Sequence, residues 1–185
     1  SIVTNIDKEH LDFYKNFNNL IQSFIKFIEK TPPIGKSFLC IDDPCIRKIL
    51  KKLKTKNYYT YGFDKSANYQ IYNPRYEIGF SKFDLKIKIV GSKNIHIKNI
   101  LLKLVGKYNV LNATAAIALS LSLGLKIEVI KKALKNFSGV QRRLTKVFKK
   151  DNIEFYDDYA HHPTEIKSVL EAVRKVAPKR KIITI

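Results

Sequence analysis

Apolar residues at Phe13, Phe17, Leu20, Ile21, Phe24, Ile25 and Ile28 recur at three- and four-residue spacing, the signature of one face of a helix. A short run, Ser1 to Asn5, reads as a buried strand before it, and Thr31-Pro32-Pro33-Ile34-Gly35 stops it. Ser37 to Ile41 reads as a second strand. Asp42-Asp43-Pro44 then opens a helix running to about Leu53, with an acid as N-cap and proline in the first turn. Tyr58 to Phe63 reads as a third strand. Strand, helix, strand, helix, strand predicts a parallel sheet with crossover helices.

The period changes from Asn68 to Val105. Alternation in Phe83 to Ile89 and in Ile95 to Lys98, with Gly79 and Gly91 between strands, predicts an antiparallel appendage. Two helices follow, Asn112 to Leu123 capped by Gly124, and Ile127 to Asn136. Strands are expected over Leu144 to Lys149 and over Ile153 to Tyr156, then a helix from Thr164 to about Val176. Lys181 to Ile185 reads as an apolar strand, and a parallel strand needs a further element to cover it. The chain is therefore expected to be an internal piece of a longer protein. The fold class is α/β.

Composition narrows the function classes. The chain is 45% hydrophobic, enough for a sizeable core, and no run approaches the ~20 apolar residues of a membrane span. A soluble cytoplasmic protein with no membrane partner is expected. Cys40 and Cys45, the only cysteines, are too few for a disulfide scaffold or a zinc site. The net charge of +19 invites a nucleic-acid reading. However, the excess is lysine spread along the chain, and residues with AT-rich codons (Lys, Ile, Asn, Phe, Tyr) are all abundant. A biased proteome accounts for that surface, and no nucleic-acid partner is expected. Anionic small ligands would still benefit from the positive field.

Four segments could carry chemistry. Asn5 to Asp12 contains His10 just past a strand end, where it could ligate a metal or cap the next helix. Asn109 and Asn112 lie three apart at a helix start. Their carboxamides suit the edge of an adenine, while Asn109 as a helix cap is the competing account. In Gly139-Val140-Gln141-Arg142-Arg143 an arginine pair stands where lysine is the common cation, and guanidinium forks bind phosphate bidentately. A surface ion pair is the alternative. The richest segment is Asp157-Asp158-Tyr159-Ala160-His161-His162-Pro163-Thr164-Glu165, a polar loop between a strand and a helix, holding two of the four histidines. Ligands of open α/β sheets bind at such a place. Gly35-Lys36-Ser37 ends like a phosphate-binding loop, but the glycine required five residues earlier is Lys30.

In this order and at these separations, the four segments resemble the Mur ligase family, most closely its alanine-adding branch. The resemblance implies a central ATP-binding domain over residues 1–138 and the start of a Rossmann-like C-terminal ligase domain over 139–185. It implies ATP as a substrate, Mg²⁺ as cofactor with His10 as its ligand, and UDP-N-acetylmuramate and L-alanine as the partners joined in peptidoglycan synthesis. Asn109 and Asn112 would contact adenine, Arg143 with Arg142 the phosphates, and Asp158 the ribose. Tyr159, His161 and His162 would lie where the γ-phosphate, carboxylate and amine meet, the two histidines being the catalytic candidates. A tripeptide-attaching recycling ligase of the same family and a basic nucleic-acid-binding module are the alternatives. The family's N-terminal domain and glycine-rich Gly-Lys-Thr/Ser loop are not among these residues, and neither are a second magnesium-binding acid and the acceptor-side arginines. The isolated chain is thus expected to be inactive. Tyr108 stands where the family usually carries histidine.

Overall fold

The computed structural model describes all of residues 1–185. Strands β1 (Ile2–Val3), β2 (Ser37–Cys40) and β3 (Tyr58–Gly62) pair in parallel, joined by helices α1 (Leu11–Tyr14), α2 (Phe17–Glu29) and α3 (Pro44–Ile49). This is the expected strand-helix alternation. β3 also pairs in parallel with β4 (Tyr69–Glu77) over Tyr61–Tyr69 and Gly62–Gln70. β4, β5 (Phe80–Ile87) and β6 (Ile95–Leu102) continue the sheet, whose order is β1-β2-β3-β4-β5-β6. Only Ile78 and Gly79 separate β4 from β5, a link that can join antiparallel strands alone. The antiparallel part is thus built onto the parallel one as a continuation of the same sheet. Helices α4 (Lys107–Ser122) and α5 (Ile127–Asn136) follow, then the antiparallel pair β7 (Thr145–Lys150) and β8 (Ile153–Asp157), and α6 (Pro163–Val176).

The chain divides into two compact units, the first of residues 1–72, 84–98 and 111–125, the second of 73–83, 99–110 and 126–185. In the first, Phe38, Leu39, Tyr61, Ile28 and Ile46 are fully buried, the apolar faces of α2 and α3 against the parallel strands. Burying each of the purely apolar side chains, Phe38, Leu39, Ile28 and Ile46, is worth about 1.5–3 kcal/mol. Local chemistry explains the helix ends. Asp43 caps α3 by accepting from Ile46 N at 2.7 Å, with Pro44 in the first turn. In the second unit, Gly106 has φ 111° immediately before α4, and a Cβ there would lie 2.8 Å from that of Ala172 on α6.

Four expectations need correction. The helix through Phe13 and Ile28 is broken, because Lys15 adopts φ 69° and the Asn16 side chain caps a new helix by accepting from Asn19 N. The α3 helix ends at Ile49 rather than near Leu53, with Leu53 N still accepted by Ile49 O in the turn that follows. Helix α4 begins at Lys107, five residues before Asn112. Asn109 therefore sits inside the first turn, and its amide donates to Val105 O at 2.8 Å instead of capping. Residues 181–185 form no strand: Ile183 and Ile185 are exposed, and a strand exists only by pairing with a neighbour.

Asp42, which follows β2, accepts from Phe63 N with both oxygens at 3.0 Å and from Asp64 N at 3.1 Å. Gly62 (φ 150°) leaves room for it, since a Cβ would stand 2.4 Å from Asp42 Oδ1. Gly62→Ala is expected to lower unfolding free energy by about 2–4 kcal/mol in urea titration, from clash plus backbone strain. Asp64 accepts from Ser66 Oγ at 2.5 Å and Ser66 N at 2.8 Å and pairs with Arg47 at 2.9 Å. The Ser66 hydrogen bonds, then Arg47, lower its pKa from 3.8 to about 2. The stabilisation from these bonds is present above 3.8 and is lost as pH falls towards 2. Carboxyl NMR titration of Ser66→Ala or Arg47→Ala should show the Asp64 midpoint moving up; an unmoved midpoint in both would refute this cause.

Candidate active site

The hairpin β7–β8 builds the second unit's polar cluster. Its register pairs Thr145 with Asp157, so the residues just outside it, Leu144 and Asp158, come face to face. Asp158 Oδ2 accepts from Leu144 N at 2.7 Å and Oδ1 from Ala160 N at 2.8 Å. Tyr159 N donates to Arg142 O at 2.8 Å, closing the ladder one step further. Arg142 also lays its guanidinium over the Tyr159 ring, 4.7 Å from the centroid, with Nε 3.7 Å from Asp157 Oδ2. Arg143 pairs instead with Glu165 at 3.5 Å, an exposed contact of small energetic weight.

In their neutral forms the two histidines are held as opposite tautomers by their neighbours. His161 Nδ1 lies 3.0 Å from Tyr159 O; a carbonyl only accepts, so Nδ1 carries the proton and Nε2 a lone pair. Glu165 Oε2, 3.8 Å from Nδ1, favours that proton and also accepts from His161 N at 3.4 Å. His162 is the N-cap of α6 and accepts Thr164 N on Nδ1 at 3.3 Å, which places its neutral-state proton on Nε2. The adjacent side chains thus differ in what their Nε2 atoms can do.

Tyr108, in the first turn of α4, feels the charges of Arg143 and Asp158, and Asn109 beside it hydrogen-bonds its phenol. Burial pushes the Tyr108 phenol above its ordinary pKa and the Asp158 charge adds to this, while a hydrogen bond from Asn109 and the Arg143 charge oppose it. Asn112 lies on the same helix, exposed. The second unit therefore brings together Arg142, Arg143, Asp158, Tyr159, His161 and His162, while Asn109 is linked to them only through Tyr108. Glu165 and Asp157 join them as partners of the cations; the i,i+4 spacing of His161 and Glu165 is the one sequence signal for the former.

The first unit holds His10 apart. It is exposed, with φ 54°, and its carbonyl accepts from Phe13 N and Tyr14 N at 3.0 Å each, but its ring makes no capping bond to α1. At the carboxyl ends of the parallel strands, Asp43 also accepts from Ile6 N at 3.5 Å, and burial raises its pKa against these bonds. No three His, Cys, Asp or Glu side chains gather to hold a metal. Because Mg²⁺ takes near-octahedral oxygen coordination, these residues do not by themselves make a magnesium site. His10 offers one ligand. Gly35-Lys36-Ser37 is no phosphate cradle, since Ser37 lies in β2 and Lys36 Nζ bonds Asn57 Oδ1.

No helix is long and apolar enough to cross a membrane. Residues 1–120 match the family described as the Mur ligase middle domain, and residues 142–185 match the Mur ligase, glutamate ligase domain. Over all 185 residues the chain is 51% identical to a UDP-N-acetylmuramate–L-alanine ligase of Pelagibacter ubique, covering 40% of that protein. It is 38% identical to one from Brucella anthropi, covering 39% of it. The chain therefore spans about two-fifths of these curated relatives' length. The crystal structure of UDP-N-acetylmuramate-alanine ligase MurC from Thermotoga maritima superposes with a TM-score of 0.75 at 30% identity, covering 97% of this chain and 39% of that one. MurF from Acinetobacter baumannii, at TM-score 0.78 and 22% identity over 94% of this chain and 37% of that one, shares the fold. With its longer segment matched by the middle-domain family and its fold repeated in solved members, the chain belongs to the Mur ligase family.

Proposed function

We propose that the protein containing this chain joins L-alanine to the carboxylate of UDP-N-acetylmuramate in an ATP-dependent reaction through an acyl phosphate. The observation that carries this reading is the 51% identity over all 185 residues to a relative of that name. On this reading residues 1–138 belong to the ATP-binding domain and 139–185 open the ligase domain. The reaction belongs to the cytoplasm, where ATP and nucleotide sugars are found.

The geometry supports the division of labour. Asp158 already accepts two backbone N–H groups, but a carboxylate has about four lone-pair sites, leaving capacity for ribose hydroxyls. Arg143 exchanges its exposed Glu165 partner for a phosphate at little cost, and the charge-assisted fork is the stronger bond. Arg142 adds to the positive field there. Asn109 and Asn112 take the adenine edge. Mg²⁺, if bound, would neutralise phosphate charge, and His10 would be this chain's candidate ligand for it.

The acyl phosphate forms when the carboxylate oxygen attacks the γ-phosphorus and ADP leaves. The alanine nitrogen then attacks the carbonyl carbon and inorganic phosphate leaves, with Tyr159, His161 and His162 on this acceptor side. The attacking amine must shed protons. On this reading His161 takes one on Nε2, a role supported by the contact of Nδ1 with Tyr159 O beside Glu165. His162, with its proton on Nε2, can donate to the developing oxyanion or to phosphate.

The test is ADP release by the full-length protein given UDP-N-acetylmuramate, ATP and either L-alanine or a tripeptide. Release that depends on L-alanine is expected. Dependence on the tripeptide alone would make it the recycling ligase, and release with neither acceptor would defeat both readings. His161→Ala is expected to lower kcat for L-alanine-dependent ADP release by about 10²-fold, the usual contribution of a positioned general base.

A further inference from the structure

The two adjacent arginines differ in their contacts. Arg143 has one exposed acidic partner. Arg142 grips both neighbours of Asp158: its Nε faces Asp157, its guanidinium stacks on Tyr159, and its carbonyl accepts Tyr159 N. Asp158 reaches back across the same gap to Leu144 N. Residues 142–144 and 157–159 thus interlock alternately. Arg142 (φ 59°) and Leu144 (φ 50°) both occupy the left-handed region without being glycine. Such strain persists only where surrounding contacts over-determine the backbone. Here those contacts are the ones between residues 142–144 and 157–159.

We infer that Arg142 is a positioning residue, whose clasp on Asp157 and Tyr159 fixes the direction of the Asp158 carboxylate, while Arg143 alone of the pair is available to phosphate. The inference rests on the nucleotide reading above in one respect, that Asp158 meets the ribose. A planar guanidinium is required because one face must lie on the ring while its edge meets a carboxylate. A phosphate ligand at Arg142 would have to displace both contacts.

Adenosine carries the ribose without phosphate, and so separates the two roles. Calorimetric titration of the full-length protein with adenosine and with ATP compares the parent with Arg142→Ala, Arg142→Lys and Arg143→Ala. Hydrogen exchange is followed in parallel at the amides of Leu144, Tyr159 and Ala160. Arg142→Ala should weaken both ligands by the same factor, about 3- to 10-fold, and speed exchange at all three amides. Arg142→Lys should fall between, keeping the charge but not the flat stack. Arg143→Ala should weaken ATP and leave adenosine unchanged. Loss confined to ATP in Arg142→Ala, with exchange unmoved, would make Arg142 a phosphate ligand and overturn the inference. Faster exchange with both affinities intact would reduce the clasp to local structure and overturn it too. If the parent binds neither ligand, the nucleotide reading fails, and exchange alone decides whether the clasp exists.

Discussion

Carboxylates accepting backbone N–H groups hold this protein's loops. Asp42 ties the end of β3 to the start of α3, Asp43 closes the first turn of α3 and reaches Ile6, and Asp158 joins the strap before β7 to the loop after β8. In each case a short acid follows a strand and satisfies donors that would otherwise need water. Such bonds are roughly twice as strong as neutral ones. The loops at the strand ends can therefore be polar and still keep one shape, which is what a site assembled from several segments requires.

The same use of acids bears on the charge. Sixteen acidic residues face thirty-five lysines and arginines, and several acids are turned inward onto backbone or committed to a specific cation. The lysine surface is left with little local compensation. That raises the positive potential over the surface as a whole, and an anion would feel it over about a Debye length.

Much of the fold was legible because hydrophobic spacing and punctuation agreed. Helix α5 spans the predicted Ile127 to Asn136, and Pro163 marks the start of α6. The break at Lys15 was not legible, because the apolar spacing runs through it and the interruption comes from the polar side of the chain, where Asn16 caps. The early start of α4 was hidden for a related reason: Asn109 reads as a cap, but Gly106 supplies the turn. In the site, the residue types were visible in sequence while their pairing was not. Arg142 and Tyr159 are seventeen positions apart, and only the register of the intervening hairpin, with an irregularity between Lys146 and Phe148, decides which residues meet. The histidine tautomers follow from neighbours two residues away and become readable only when loop geometry is known.

Gly62 and Asp42 show how such a scaffold constrains its own history. The carboxylate occupies the space that any side chain at position 62 would enter. A larger residue at 62 must relax the backbone there and also needs a shorter residue at 42, which in turn requires another way to satisfy the amides of Phe63 and Asp64. Substitutions at these positions are therefore ordered in time, and two descendants differing at both must have passed through a narrow corridor of intermediates.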